Sequence, residues 1–160
     1  MSRNRHLDII NVIDLEATFH TEQTNQQGEI IEIGLAEYSI IDEKVIHTSN
    51  IIVKPTVGFI DEKCTALTGW RQEDFADALS FKDACQKLEK EFRSRLRVFA
   101  SYGDYDRRQF HRQCLAEHVR YPFDDTHINI KNWFALKAKL TREIGMAEAL
   151  DHLHLPLDGQ

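Results

Sequence analysis

The sequence predicts an α/β domain with a mixed sheet, and three observations carry that prediction. Strand-like apolar runs fill the first third of the chain, and Asp42-Glu43 joins two of them as an antiparallel hairpin would. After Pro55 the apolar spacing becomes helical. From there, helical and strand-like segments alternate. With 160 residues the chain has a single-domain length and enough material for two or three packed layers, so residues 1–160 are read as one domain.

Asp8 to Asp14 is the first strand. Glu29 to Ile40, rich in Ile, is the second, entered through the polar turn Thr24-Asn25-Gln26-Gln27-Gly28, and Lys44 to Val53 is the third. Asp61 is placed to cap a short helix ending at Thr68-Gly69, where glycine suits a left-handed stop. Ser80 and Asp83 give a capping-box-like start, with Asp in place of Glu or Gln. Phe81, Ala84, Cys85, Leu88, Phe92 and Leu96 follow as one apolar stripe, read as core. Arg97 to Ser101 is a short strand, and Arg107 to Val119 a helix carrying Phe110, Cys114 and Leu115 inward. His127 to Ile130 is the last strand, followed by helical segments at Trp133 to Lys139 and Met146 to Leu153. The three prolines (Pro55, Pro122, Pro156) sit where one element gives way to the next.

Composition removes several classes. The apolar and charged fractions, 42% and 29%, are those of a packed globular protein. No apolar run approaches the ~20 residues of a membrane span, so no membrane partner is expected. No cleavable leader is read at Met1-Ser2-Arg3-Asn4-Arg5-His6. Cys64, Cys85 and Cys114 are odd in number and far apart, which predicts buried thiols in a reducing, cytoplasmic setting. A net charge of −6 argues against a broad phosphate-binding surface. It leaves room for nucleic acid held locally, because bound cations cancel site acids.

The chemistry is concentrated in acids. The run Ile9-Ile10-Asn11-Val12-Ile13 leads into Asp14-Leu15-Glu16-Ala17-Thr18. Acids two apart on an extended strand project to one side and repel each other unless a cation lies between them. A strand end dipping into solvent is the plainer reading of the same pair. A third acid comes from Tyr102-Gly103-Asp104-Tyr105-Asp106, at a strand-to-helix junction. Asp104 and Asp106 read equally as caps favoured by the helix dipole or as site acids at a strand end. Carboxylates converging on two cations suit phosphodiester cleavage, in which one ion activates water and the other stabilises the leaving oxygen.

These residues carry a resemblance. Asp14-Leu15-Glu16-Ala17-Thr18 resembles the first motif of the DEDDh 3′-to-5′ exonucleases, the DnaQ-like branch of the ribonuclease H-like fold. With Ile31-Glu32-Ile33-Gly34, the EAT form resembles the subgroup of Eri-type RNA exonucleases and KapD-like proteins. Cys64-Thr65-Ala66-Leu67-Thr68-Gly69 is similar to that subgroup's LTG segment, and Gly103-Asp104-Tyr105-Asp106 with Phe110 to its second motif. Ile128-Asn129-Ile130 resembles the segment before the third motif. The resemblance implies two Mg²⁺ or Mn²⁺ ions on Asp14, Glu16 and Asp106, with Asp14 bridging and Glu16 on the water-activating ion. It implies that the backbone at Ala17 and Thr18 holds the terminal sugar. Leu67 and Thr68 would line the pocket of the last base, and Phe19 and Trp70 are stacking candidates beside a core-packing role. The substrate implied is the 3′ end of single-stranded RNA or DNA, and the product a nucleoside monophosphate.

The sequence departs from the family at the third motif, which supplies a general-base His and, five residues on, a last metal-binding Asp. The segment Gly145 to Gly159 resembles what precedes that motif, so the chain is expected to be cut short at its C-terminus and impaired as it stands. No histidine present is a good substitute: His152 and His154 precede the motif, His111 points away, and His20 lacks an orienting partner. Nothing recommends His6, His47, His118 or His127. Two other functions stay open. One is a non-catalytic module holding nucleic acid or protein. The other is a haloacid-dehalogenase-type phosphatase built on Asp14-x-Glu16-x-Thr18, whose downstream acid pair would be Asp124-Asp125, in a segment read as loop. Arg93, Arg95, Arg97, Arg107, Arg108 and Arg112 read either as a phosphate guide or as a solvated face.

Overall fold

The computed structural model describes residues 6–18, 28–56, 60 and 62–157. The expected Asp61 cap and most of the polar turn before Glu29 lie outside them. Five strands, β1 (Ile9–Ala17), β2 (Ile30–Ser39), β3 (Lys44–Ile52), β4 (Val98–Ser101) and β5 (His127–Asn129), form one sheet in the order β3-β2-β1-β4-β5. The β1–β2 and β2–β3 pairs are antiparallel, while β4 lies parallel to β1 and β5 parallel to β4. This is the mixed sheet expected. The hairpin turns where Ser39 Oγ accepts the Asp42 amide and donates to the Asp42 carboxylate, with Glu43 at φ 52°.

Five helices accompany the sheet: α1 (Glu62–Thr68), α2 (Phe81–Glu91), α3 (Tyr105–Ala116), α4 (Ile130–Lys137) and α5 (Met146–His152). Ser80 accepts the Asp83 amide and so starts α2, as its sequence requires. Gly69, at φ 77°, follows the end of α1 in the left-handed region. A 3₁₀ turn at Gln72–Phe75 lies between α1 and α2.

Period-two alternation sorts β1 between two environments. Ile13 and Leu15 are buried, while Asp14 and Glu16 are open to solvent. Ile13 pairs with Leu35 and Leu15 with Ile33, and these four join Phe81, Leu88 and Phe110 of α2 and α3 in the main core. Phe123 stacks on Phe99 at 4.3 Å and meets Phe110 edge-on at 4.9 Å, tying the loop before β5 to the same core. A second cluster of Ile31, Ile60, Cys64 and Phe75 anchors α1 and the 3₁₀ turn. All three cysteines are buried, and none is part of a disulfide.

Three details differ from the sequence reading. β1 runs on to Ala17, so both acids lie within the strand, where β2 supplies partners as far as Ile30. α4 begins at Ile130, three residues before expected, because the Asn129 side chain accepts the Asn132 amide and caps it. Leu115 is not inward: it is 79% exposed, because Phe110, Gln113 and Cys114 already fill the buried face of α3. Among the described residues no helix is long and apolar enough to cross a membrane.

Candidate active site

Cross-strand register builds the site. Asp14 pairs with Gly34 and Glu16 with Glu32, so all four lie on the sheet face opposite the main core. Gly34 leaves open space beside Asp14: a Cβ there would meet nothing nearer than the Asp14 carbonyl at 3.5 Å. The result is a cavity of about 280 Å³ lined by Asp14, Glu16, Glu32, Gly34 and Asn50.

α3 brings the third acid. Asp106 lies in its first turn, buried, and its Oδ1 accepts the Leu15 amide at 3.1 Å. That one bond seats Asp106 against the backbone between Asp14 and Glu16. Asp104 is used differently: it is ion-paired with Arg107 at 2.7 Å and with Arg108 at 3.3 Å, which holds its carboxyl below the usual range. Of the two acids at this junction, Asp106 lies against the backbone between Asp14 and Glu16, and Asp104 is bound into the end of α3.

The charges confirm how close the three acids are. Burial, then Asp14, pushes the Asp106 carboxyl up to about 6. Asp14 reaches solvent, yet the protein around it removes part of its hydration and so raises it. Glu16 is raised by burial and then by Asp14, Glu32 and Asp106. Three neighbouring carboxylates thus act on Glu16 here. Their donors are all hard carboxylate oxygens, which suit Mg²⁺ or Mn²⁺. Among the described residues, however, no three His, Cys, Asp or Glu side chains close into one metal-binding group. The donor chemistry fits a hard cation; the side chains do not form a finished cage.

A second hollow of about 390 Å³ adjoins the first. It is lined by Glu32, Thr68, Gly69, Trp70 and Asp74. Thr68 Oγ1 donates to the Cys64 carbonyl at 2.9 Å and accepts the Trp70 amide at 3.2 Å, so the LTG segment holds itself in place. Leu67 stands 60% exposed beside it. Phe19 lies outside the described residues. The Thr18 amide is bonded to the Glu29 carbonyl and its hydroxyl to the Glu29 amide, both at 2.8 Å.

Three features were missed by sequence reasoning. α3 reads the backbone next to the acid strand: Gln109 and Arg112 donate to the Gly28 carbonyl, and Gln113 Oε1 accepts the Ile30 amide. His127, which nothing in the sequence recommended, lies 2.8 Å from Ser101 Oγ, and the Ser101 hydroxyl donates to the Gly103 carbonyl at 3.0 Å. Glu32 was quoted only as part of a motif, yet it lines both hollows. The arginines resolve as well. Arg97 pairs with Glu37, Arg95 donates to the Tyr121 carbonyl, Arg112 holds Gly28, and Arg107 and Arg108 hold Asp104. Five of the six arginines therefore have structural partners.

Comparisons with known proteins agree with this picture. The family profile RNase_T, described as exonuclease, matches residues 11–155. No curated protein sequence matches significantly. The nuclease domain of 3'hExo, a DEDDh family member bound to rAMP, superposes with a TM-score of 0.81 at 22% identity, over 98% of this chain and 84% of that one. A 3′-exonuclease recognising the 3′ end of a histone mRNA stem-loop gives 0.80 at 23%, over 98% and 74%. The cell-death related nuclease CRN-4 gives 0.79 at 16%, over 96% of this chain but only 57% of that one. The shared fold is the ribonuclease H-like exonuclease fold, with its five-stranded mixed sheet.

Proposed function

This chain belongs to the RNase_T exonuclease family, and from that premise we propose that it hydrolyses nucleic acid from the 3′ end, releasing nucleoside monophosphates from single-stranded RNA or DNA. The observation that carries this reading is the Asp106–Leu15 hydrogen bond. It sets a carboxylate from α3 beside two carboxylates of β1, from distant parts of the sequence, where nothing in the core requires charge.

In this reading Asp14, Glu16 and Asp106 hold divalent cations of the Mg²⁺ or Mn²⁺ kind. Two such ions supply an activated water and charge stabilisation at the leaving oxygen. The chain's own residues do the remaining work. Asp14 and Glu16 present their charges on a strand fixed by β2 on one side and β4 on the other. Asp106 keeps its position through the Leu15 amide. Ala17 and Thr18 bound the end of the acid strand where a terminal sugar would lie. Thr68, Trp70 and the exposed Leu67 form the wall that receives the last base, and Phe19 is kept as a second stacking candidate.

Among the described residues, no histidine is hydrogen-bonded or ion-paired to Asp14, Glu16 or Asp106. A positioned general base is typically worth ~10²–10⁴ in rate. Hydrolysis that relies on the described residues alone is therefore proposed to be slow.

The test is a 5′-labelled, single-stranded 20-mer incubated with Mn²⁺. A one-nucleotide ladder growing from the 3′ end, blocked by a 3′-terminal cap and absent in Asp14→Ala, supports the reading. Cleavage that ignores the 3′ cap, or that survives Asp14→Ala, rejects it. The parent fold leaves one other reading, a binding module without catalysis. It would bind the oligonucleotide equally well in wild type and Asp14→Ala and cut it in neither.

A further inference from the structure

Glu32 is the shared wall of the two hollows. On one side it faces the acidic cavity across the sheet from Glu16, whose carboxyl it pushes up. On the other it accepts the indole N–H of Trp70 at 2.6 Å, a short bond of the charge-assisted kind. Trp70 has little freedom otherwise. Its amide is bonded to Thr68 Oγ1, and its ring packs at 5.7 Å on Phe75, in the second core cluster. The indole plane is therefore set by one carboxylate that also belongs to the acid site.

The adjoining hollow selects against negative charge. Among the described residues its lining includes the carboxylates Glu32 and Asp74 and no basic side chain. A phosphate would be repelled there. An uncharged planar base, with an aromatic face to stack on and ring amino groups to donate, is the chemistry that fits.

We infer that Glu32 and Trp70 form a couple in which cation binding at Asp14 and Glu16 is linked, through the Glu32 carboxylate, to the indole that stacks the terminal base. This deepens the exonuclease reading and rests on it. Glu32 is a positioning residue in this account. An ion in the acidic cavity draws on its charge, loosening the indole bond; conversely, the indole bond holds part of that charge away from the ion. Coupling of this kind is reciprocal.

The test uses Mg²⁺ alone, with binding read by calorimetry and the indole by intrinsic fluorescence. The chain has two tryptophans, and Trp133, exposed on α4, is the internal control. Wild type is expected to bind Mg²⁺ with a saturable fluorescence change that Trp70→Phe abolishes. Glu32→Gln, which keeps an acceptor oxygen and removes the charge, is expected to weaken Mg²⁺ binding about three- to tenfold. Trp70→Phe is expected to tighten Mg²⁺ binding at least about threefold, and to have no effect in the Glu32→Gln background. A residue that merely packs the core would not produce that pattern. The couple is overturned if Trp70→Phe leaves Mg²⁺ affinity within about twofold of wild type, or shifts it equally in both backgrounds. Thermal unfolding monitors both variants. Should Trp70→Phe fail to fold, the fluorescence response of Glu32→Gln decides: a response as large as wild type overturns the couple. Wild type that binds no Mg²⁺, like an Asp14→Asn control, overturns the metal reading and the couple together. Mg²⁺ binding with a silent Trp70 overturns the couple alone.

Discussion

Replacing Asp106 by Asn should make the metal-free protein more stable while destroying its cation site. The Asn side chain keeps an oxygen to accept the Leu15 amide, which Asp106 receives at 3.1 Å, so the seat of α3 against β1 survives. What disappears is a buried charge. Burial and Asp14 raise the Asp106 carboxyl to about 6, from an ordinary 3.8. Ionising it in the folded state therefore costs up to ~3 kcal/mol more than ionising it in the unfolded chain. The sign follows from the raised value. The folded state binds the proton more tightly, so wild-type stability falls as pH rises from about 4 to about 6 and is level above. The Asn variant lacks that fall. The gap between them should be near zero at pH 3, about 1 kcal/mol at pH 4.5 and at most about 3 kcal/mol above pH 7. For a domain of this size that upper bound corresponds to roughly 6–12 °C in Tm. Thermal unfolding in EDTA from pH 3 to pH 8, followed by circular dichroism, measures it. Added Mg²⁺ should raise the wild-type Tm and leave the variant unmoved. A variant no more stable than wild type at pH 8, or a gap independent of pH, refutes the claim that Asp106 is a buried carboxylate facing Asp14.

Other consequences follow from single contacts. Gly28→Ala would put a Cβ 2.0 Å from the Thr18 carbonyl oxygen, a backbone atom that cannot step aside. We expect a loss of several kcal/mol, seen in denaturant unfolding; wild-type stability would refute the close approach. Gly34→Ala meets only ordinary contacts, at 3.5 and 3.9 Å. Its stability should stay within ~1 kcal/mol of wild type, whereas Gly34→Leu should fold and lose cation affinity by filling the cavity beside Asp14. Ser101→Ala removes a hydroxyl that favours the ionised form of the Asp106 carboxyl. It should move the Asp106 titration, followed by carboxyl NMR shifts, to higher pH; no movement would show that the hydroxyl does not act on the carboxylate.

The parts of this fold written in local pattern were legible from the sequence. β1 and its acids follow from strict alternation of Ile13 and Leu15 with Asp14 and Glu16, and α2 from the Ser80 cap and its apolar stripe. The mixed character of the sheet followed from a hairpin succeeded by alternating elements, but its strand order did not. What was hidden depends on contacts between distant residues. Gly28 is gripped by Gln109 and Arg112 from more than 80 positions away, and no local pattern announces that. The arginines near α3 read equally as a phosphate guide or a solvated face because their partners, Glu37, the Tyr121 carbonyl and the Gly28 carbonyl, become neighbours only on folding. Glu32 was visible as a motif letter, but its bond to Trp70 joins two elements 38 residues apart. Leu115 was misplaced because a polar residue, Gln113, occupies a buried position that periodicity assigns to apolar side chains.

The central claim is that Asp14, Glu16 and Asp106 together hold divalent cations. Its most direct test is uptake of Mn²⁺ at pH 7.5, followed by loss of the free-ion electron paramagnetic resonance signal. The account predicts that wild type takes up the ion and that Asp14→Asn and Asp106→Asn, both folded, take up little or none. Equal uptake by all three proteins would contradict it.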